Sequence, residues 1–184
     1  MKRHIAQPTI AAFLFAAGGA APALGSPSPA SITVADVVQA ETRWGEAIIA
    51  IGKAYTDHQD YKAVAAQAVD TLYGYDEGPV LFKPTKAAEK EFRLTEEDAL
   101  SYFVCGCVPE DHGFALQPWS KIRFENSGII FDGDSATAMG DYFFTDANTG
   151  KEVKVDFTFE YFKGPDGNLL ISVHHSSFPY HPEH

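Results

Sequence analysis

The sequence predicts an α+β fold: a long N-terminal helix and shorter helices packed on a curved antiparallel sheet, forming a cone with one open mouth. Three observations predict it. Apolar residues recur at helical spacing from Val34 to Phe103, the period changes to two from Ile122 onward, and glycine-bearing turns break the second half into consecutive strands. With 184 residues, 45% hydrophobic and 21% charged, the chain is sized and composed for one globular domain.

The elements follow in order. Residues 1–25 carry Lys2 and Arg3, an Ala-rich apolar run through Phe13, Leu14 and Phe15, and small residues at Ala21-Pro22-Ala23 and Ala23-Leu24-Gly25. No acidic residue precedes Asp36. This is the make-up of a secretory signal peptide cleaved after Ala23 or Gly25, and glycines and a proline break the run before it reaches the ~20 apolar residues of a membrane span. The expected location is therefore periplasmic or secreted. Residues 26–32, with Pro27 and Pro29, read as an extended spacer, 33–180 as the domain and 181–184 as a tail. Thr33 and Asp36 form a capping box for a long helix whose apolar positions are Val34, Val37, Val38, Ile48, Ile51 and Tyr55, with Trp44 as core anchor. Asp60 caps a second helix that ends at Gly74, Pro79 to Phe82 is extended, Thr85 opens a short Ala-rich helical stretch, and Thr95 with Asp98 caps a further helix. Strands then run through Ile122/Phe124, Ala136 to Phe144, Val153 to Tyr161 and Leu169 to Val173, with turns at Asn148-Thr149-Gly150 and Asp166-Gly167-Asn168.

A formal charge of −11, more negative by two once Lys2 and Arg3 are cleaved away, repels phosphate backbones and anionic lipid, so neither nucleic acid nor membrane is an expected partner. A small neutral substrate is not penalised. Cys105 and Cys107, one residue apart, are too few for a disulfide framework, and their oxidation state is open.

The last strand is the informative one. Strict alternation places Leu169, Ile171 and Val173 inward and carries His175 and Ser177 to the same face, with His174 and Ser176 opposite. A histidine and a serine at the rim of an apolar cavity form either a hydrogen-bonded structural pair or a reactive one. Only His175 is placed inside as a metal ligand, short of the three that catalytic zinc takes, so no metal is expected, with zinc or manganese the alternative.

The run 81–89 around Lys83-Pro84-Thr85, the later Ala99-Leu100-Ser101-Tyr102-Phe103, Gly113-Phe114-Ala115-Leu116 with Pro118-Trp119, and above all His174-His175-Ser176-Ser177-Phe178-Pro179 resemble the iota class of carbonic anhydrases. The likeness spans about Trp44 to Tyr180. It implies a nuclear-transport-factor-2-like or SnoaL-like cone, a homodimer, carbon dioxide and bicarbonate as substrates, and Thr85, Tyr102 and Ser177 around substrate and water with His175 beside them. Cys105-Gly106-Cys107 departs from the glycines the family commonly has there. The alternatives are a non-catalytic ligand-binding or dimerisation module and an isomerase of the ketosteroid type. The latter wants an inward carboxylate, which the strand positions lack.

Overall fold

The computed structural model describes residues 31–182, so the expected signal segment falls outside the described residues. Helix α1 (Val34–Thr56) opens with the expected capping box: Asp36 N–H donates to Thr33 Oγ1 at 3.2 Å and Thr33 N–H to Asp36 Oδ2 at 2.8 Å. Two orphan donors of the first turn are thereby satisfied. Its buried stripe is Val37, Glu41, Trp44, Ile48 and Ile51, while Val34, Val38 and Tyr55 stay exposed. The helix thus buries a narrower face than its apolar content suggests.

Helix α2 (Tyr61–Leu72) is capped by the Asp60 carboxylate. It ends without a left-handed glycine, because Tyr73 turns extended and bridges Ile171 of the last strand. Strand β1 (Leu81–Lys83) follows, then helix α3 (Glu96–Val104), a 3-10 turn at Phe114–Leu116, and strands β2 (Trp119–Asp132), β3 (Ser135–Asp146), β4 (Glu152–Lys163) and β5 (Leu169–Ser177).

The sheet order is β1-β5-β4-β3-β2, an antiparallel meander closed at one edge by the short parallel strand β1. Two hairpin turns place Gly150 (φ +68°) and Gly167 (φ +83°) in the left-handed region, where a side chain is strained. The inward faces of β3 (Ala136, Ala138, Tyr142, Phe144) and β4 (Val155, Phe157, Phe159, Tyr161) are buried. Trp44 of α1 packs on this face, touching Phe124, Tyr142, Phe144 and Phe159 with ring centroids 5.7–6.2 Å apart. Aromatic packing of this density fixes the angle of α1 on the sheet.

The stretch after Thr85 is not helical. Residues 84–93 form an irregular loop whose amides from Ala88 to Lys90 donate to the Glu110 carboxylate instead of to carbonyls one turn back. A carboxylate in competition with the helix ladder is the reason the Ala-rich sequence does not coil.

Candidate active site

The parity of β5 differs from strict alternation. Tyr161 pairs with Ile171 and Phe159 with His174, so two steps on β4 face three on β5, and the extra residue lies at Ser172–Val173. Ser172 Oγ donates to the Glu160 carbonyl at 3.3 Å and lies 3.1 Å from its Oε2, tying the bulge down. A bulge inserts one residue and turns every later side chain over. His174 and Ser176 therefore point inward, each 2% exposed, whereas His175 is exposed and Ser177 half-buried on the outer face. This corrects the inward placement of His175 and Ser177. Both line an outer-face depression of about 400 Å³ with Ser127, Asp141, Asp156 and Thr158.

His174 is caged by rings. Phe159 lies 4.2 Å and Phe82 4.5 Å from its centroid, the latter nearly parallel, and Trp44 meets it edge-on at 5.5 Å. Burial, helped by the neighbouring His175, holds its basicity well below the usual histidine range, so the ring is neutral. Its tautomer follows from its partners. Trp44 Nε1 lies 3.0 Å from the Tyr73 hydroxyl and can only donate, so Tyr73 oxygen accepts there and spends its own proton on His174 Nδ1, 2.8 Å away. Nε2 then carries the hydrogen and faces the Tyr142 hydroxyl across a long 3.5 Å contact.

Beyond Tyr142 stands a group of hydroxyls. Thr85 Oγ1 donates to Ser176 Oγ at 2.8 Å, and both interact with the Tyr142 phenol, offsetting part of the rise that burial imposes on it. Thr85 reaches this point because β1 runs beside β5, with Phe82 level with His174. Tyr102 on α3 stacks on Phe114 at 5.4 Å, and its phenol accepts from the Lys86 amide. Burial lifts its pKa far above the usual range. Tyr102 and Lys86 line a cavity of about 360 Å³ together with Tyr55, His112 and Phe114. Lys86, whose amide Tyr102 holds, directly follows Thr85, so Tyr102 stands beside the hydroxyl group. The structure thus brings Thr85 and Tyr102 to one locus and sends His175 and Ser177 elsewhere.

The sequence pattern described as metal-independent carbonic anhydrase matches residues 35–178. The chain is 44% identical over 155 residues to a metal-independent carbonic anhydrase of Nostoc sp. (strain PCC 7120 / SAG 25.82 / UTEX 2576), an alignment covering 82% of this chain and 75% of that one. The chain belongs to the metal-independent carbonic anhydrase family. Its structure also superposes on a cyanobacterial iota-carbonic anhydrase crystallised in complex with bicarbonate, with a TM-score of 0.79, 43% identity, and 83% of this chain and 95% of that chain covered.

In this metal-independent carbonic anhydrase, sequence reasoning missed four residues of the locus: Tyr73, Tyr142, His174 and Ser176. Tyr142 stood among the inward positions of β3 but reads there as core. His174 and Ser176 were lost to the bulge, whose one sequence signal is polar Ser172 inside an apolar run. Glu41 is a further buried carboxylate, placed by the helix rather than the sheet. It sits one turn before Trp44, accepts from Asn126 Nδ2 at 2.9 Å, and leaves Oε1 without a partner. Burial raises it to about 7, the Asn126 hydrogen bond opposing. Among the described residues no group of three or more His, Cys, Asp or Glu side chains is gathered as a metal shell. Cys105 and Cys107 are free and exposed.

Proposed function

We infer that this chain catalyses the reversible hydration of carbon dioxide to bicarbonate and a proton, without a metal, at the hydroxyl group formed by Thr85, Ser176 and Tyr142. The observation that supports this reading best is the directed hydrogen-bond chain from Trp44 through Tyr73 and His174 to Tyr142, ending beside the Thr85–Ser176 pair, in a member of this family. Ser176 takes the place expected of Ser177, and His174 stands where His175 was expected to relay the proton.

The residues suggest the following chemistry. A water held by Thr85 and Ser176 presents its oxygen to the carbon of carbon dioxide. As the new C–O bond forms, one C=O electron pair moves onto its oxygen, and a hydroxyl donor lowers the energy of the charge that develops there. The water's proton passes to a hydroxyl oxygen while that hydroxyl gives its own to the substrate oxygen that is taking up charge, so carbonic acid forms without free hydroxide and loses its proton to solvent as it leaves as bicarbonate. His174, neutral and locked in one tautomer, donates toward Tyr142 and turns the phenol proton to the substrate side. It orients the relay rather than holding the proton itself. Apolar walls from Phe82, Phe114 and Phe144 suit an uncharged substrate.

The test is stopped-flow hydration, read with a pH indicator, on exhaustively chelated protein. Wild type is expected to retain turnover, with Ser176→Ala and Thr85→Val each slower by tenfold or more, the scale for loss of a catalytic donor. Near-wild-type rates in both variants would move the site, and an inert wild type would leave a binding or association module of the same fold.

The same reading extends to assembly and location. A homodimer through the outer sheet face is supported by exposed Met139 and Ile130, and light scattering at the monomer mass would refute it. Export is supported by the composition of residues 1–25, and a mature protein whose mass retains them would refute that.

A further inference from the structure

We propose that Glu110 is a positioning residue for this reaction: its carboxylate gathers the backbone amides of the 84–93 loop and so sets the Thr85 hydroxyl against Ser176. The proposal rests on the reading of Thr85 as part of the site.

Two side chains anchor the far end of the loop, Lys90 on Asp98 and Arg93 on Asp111. Nearer Thr85, Ala87 and Ala88 offer none, and Lys86 and Glu89 are exposed. There the amides do the anchoring. Ala88 N–H and Glu89 N–H donate to Glu110 Oε2 at 2.9 and 3.0 Å, and Lys90 N–H to Oε1 at 2.8 Å. Two residues earlier the Lys86 amide is held by the Tyr102 phenol. Behind that, Lys83 is fixed in β1 opposite His175. Thr85 thus lies on a short span tied at both ends, and Glu110 makes three of the ties.

Glu110 is itself held. Arg93, fully buried, places Nη2 3.4 Å from Glu110 Oε1 and grips Asp111 with both terminal nitrogens at 2.8 and 2.9 Å. Asp111 in turn accepts from Ser101 Oγ at 2.6 Å, and Ser101 immediately precedes Tyr102. The residues that tie the loop and the helix that carries Tyr102 therefore share one charged network. A carboxylate that accepts three amides, with no hydrogen of its own to offer, is the one side chain suited to this cradle. The amides draw its pKa down to about 2, so the clamp stays closed throughout the neutral range. A glutamine would turn an N–H₂ toward amide donors and release at least one tie.

The experiment is a double-mutant cycle on the full protein. Glu110→Gln is expected to lower kcat for hydration about tenfold or more with KM little changed, the behaviour of misplaced catalytic groups. Thr85→Val with Glu110→Gln should be no slower than Thr85→Val alone, because the clamp then has nothing to position. Multiplying effects would overturn the proposal, as would a Glu110→Gln enzyme of wild-type rate. Hydrogen exchange at Ala88, Glu89 and Lys90 reads the clamp apart from the chemistry. Wild-type protection should persist at pH 4 and be lost in Glu110→Gln, and its absence in wild type would overturn the proposal even if the variant fails to fold. If Thr85→Val is fully active while the amides are protected, the site reading fails and the clamp survives only as structure.

Discussion

Glu41→Gln tests the buried carboxylate where its effect on stability can be calculated. Burial lifts Glu41 from 4.5 to about 7, so the folded state binds its proton more tightly than the unfolded chain does. The sign follows from linkage: the penalty is absent below pH 4.5, grows as pH rises to 7, and is constant above. Its ceiling is roughly 3 kcal/mol, from a shift of about 2.5 units at 1.36 kcal/mol each. Glutamine keeps an acceptor for Asn126 and carries no charge. The variant should match wild type in urea denaturation at pH 4.5 and exceed it by about 3 kcal/mol at pH 8. There is a second signature. His174 has its pKa lowered, so its contribution falls away below the unfolded value of 6.5, opposite in slope to Glu41. The two oppose each other just below pH 6.5 in wild type, and Glu41→Gln should expose a stability that falls as the pH drops below 6.5. Equal stabilities at pH 8 would show that Glu41 ionises without penalty and refute its placement.

Other substitutions divide the two faces of β5 and probe its support. Ser176→Ala should slow hydration by tenfold or more while Ser177→Ala leaves the rate within about twofold, measured by stopped flow, since only Ser176 meets Thr85. Equal losses in both would contradict the bulge. Tyr73→Phe strips His174 Nδ1 and the Trp44 indole of their shared partner and should cost roughly 1–3 kcal/mol in urea denaturation, the penalty of a buried group left unpaired. Because the histidine tautomer is then free, its turnover should fall too.

How much of this was legible in the sequence depends on whether a feature is local. The capping box of Thr33 and Asp36, the Asp60 cap and the period-two runs of β3 and β4 are set by neighbours in the chain, and the structure holds them as read. Two features were not local, and a third was overlooked. The helix expected after Thr85 was lost to Glu110, a residue far along the chain. The bulge at Ser172 is stabilised by the Glu160 carbonyl on the next strand, and this single shift moved the site from His175 and Ser177 to His174 and Ser176. Glu41 escaped because inward carboxylates were sought on strands. Its spacing, four after Val37 and three before Trp44, does place it on the buried helical stripe. It accepts from Asn126 and lines a depression with Phe124 that none of Thr85, Tyr142 and Ser176 lines.

The pKa shifts at the site all favour the neutral form, and that bears on how water can be activated there. Burial disfavours the phenolate of Tyr142, the phenolate of Tyr102 and the imidazolium of His174 alike. A metal-bound water would ionise near pH 7 and make the rate climb through neutrality. A site whose groups all stay neutral has no such titration: the proton must move in the same event as the C–O bond, between hydroxyls whose state does not change with pH. Hydration measured by stopped flow from pH 6.5 to 8.5 should therefore be flat once the uncatalysed rate is subtracted. The neutrality also favours release, because bicarbonate is an anion and nothing charged in the hydroxyl group retains it. Glu41 titrates in this same window, so the profile is best taken on both wild type and Glu41→Gln. A rise through pH 7 present in wild type and absent from Glu41→Gln would trace to that carboxylate. A rise present in both would mean that a group at the site ionises, and the concerted relay would have to be abandoned.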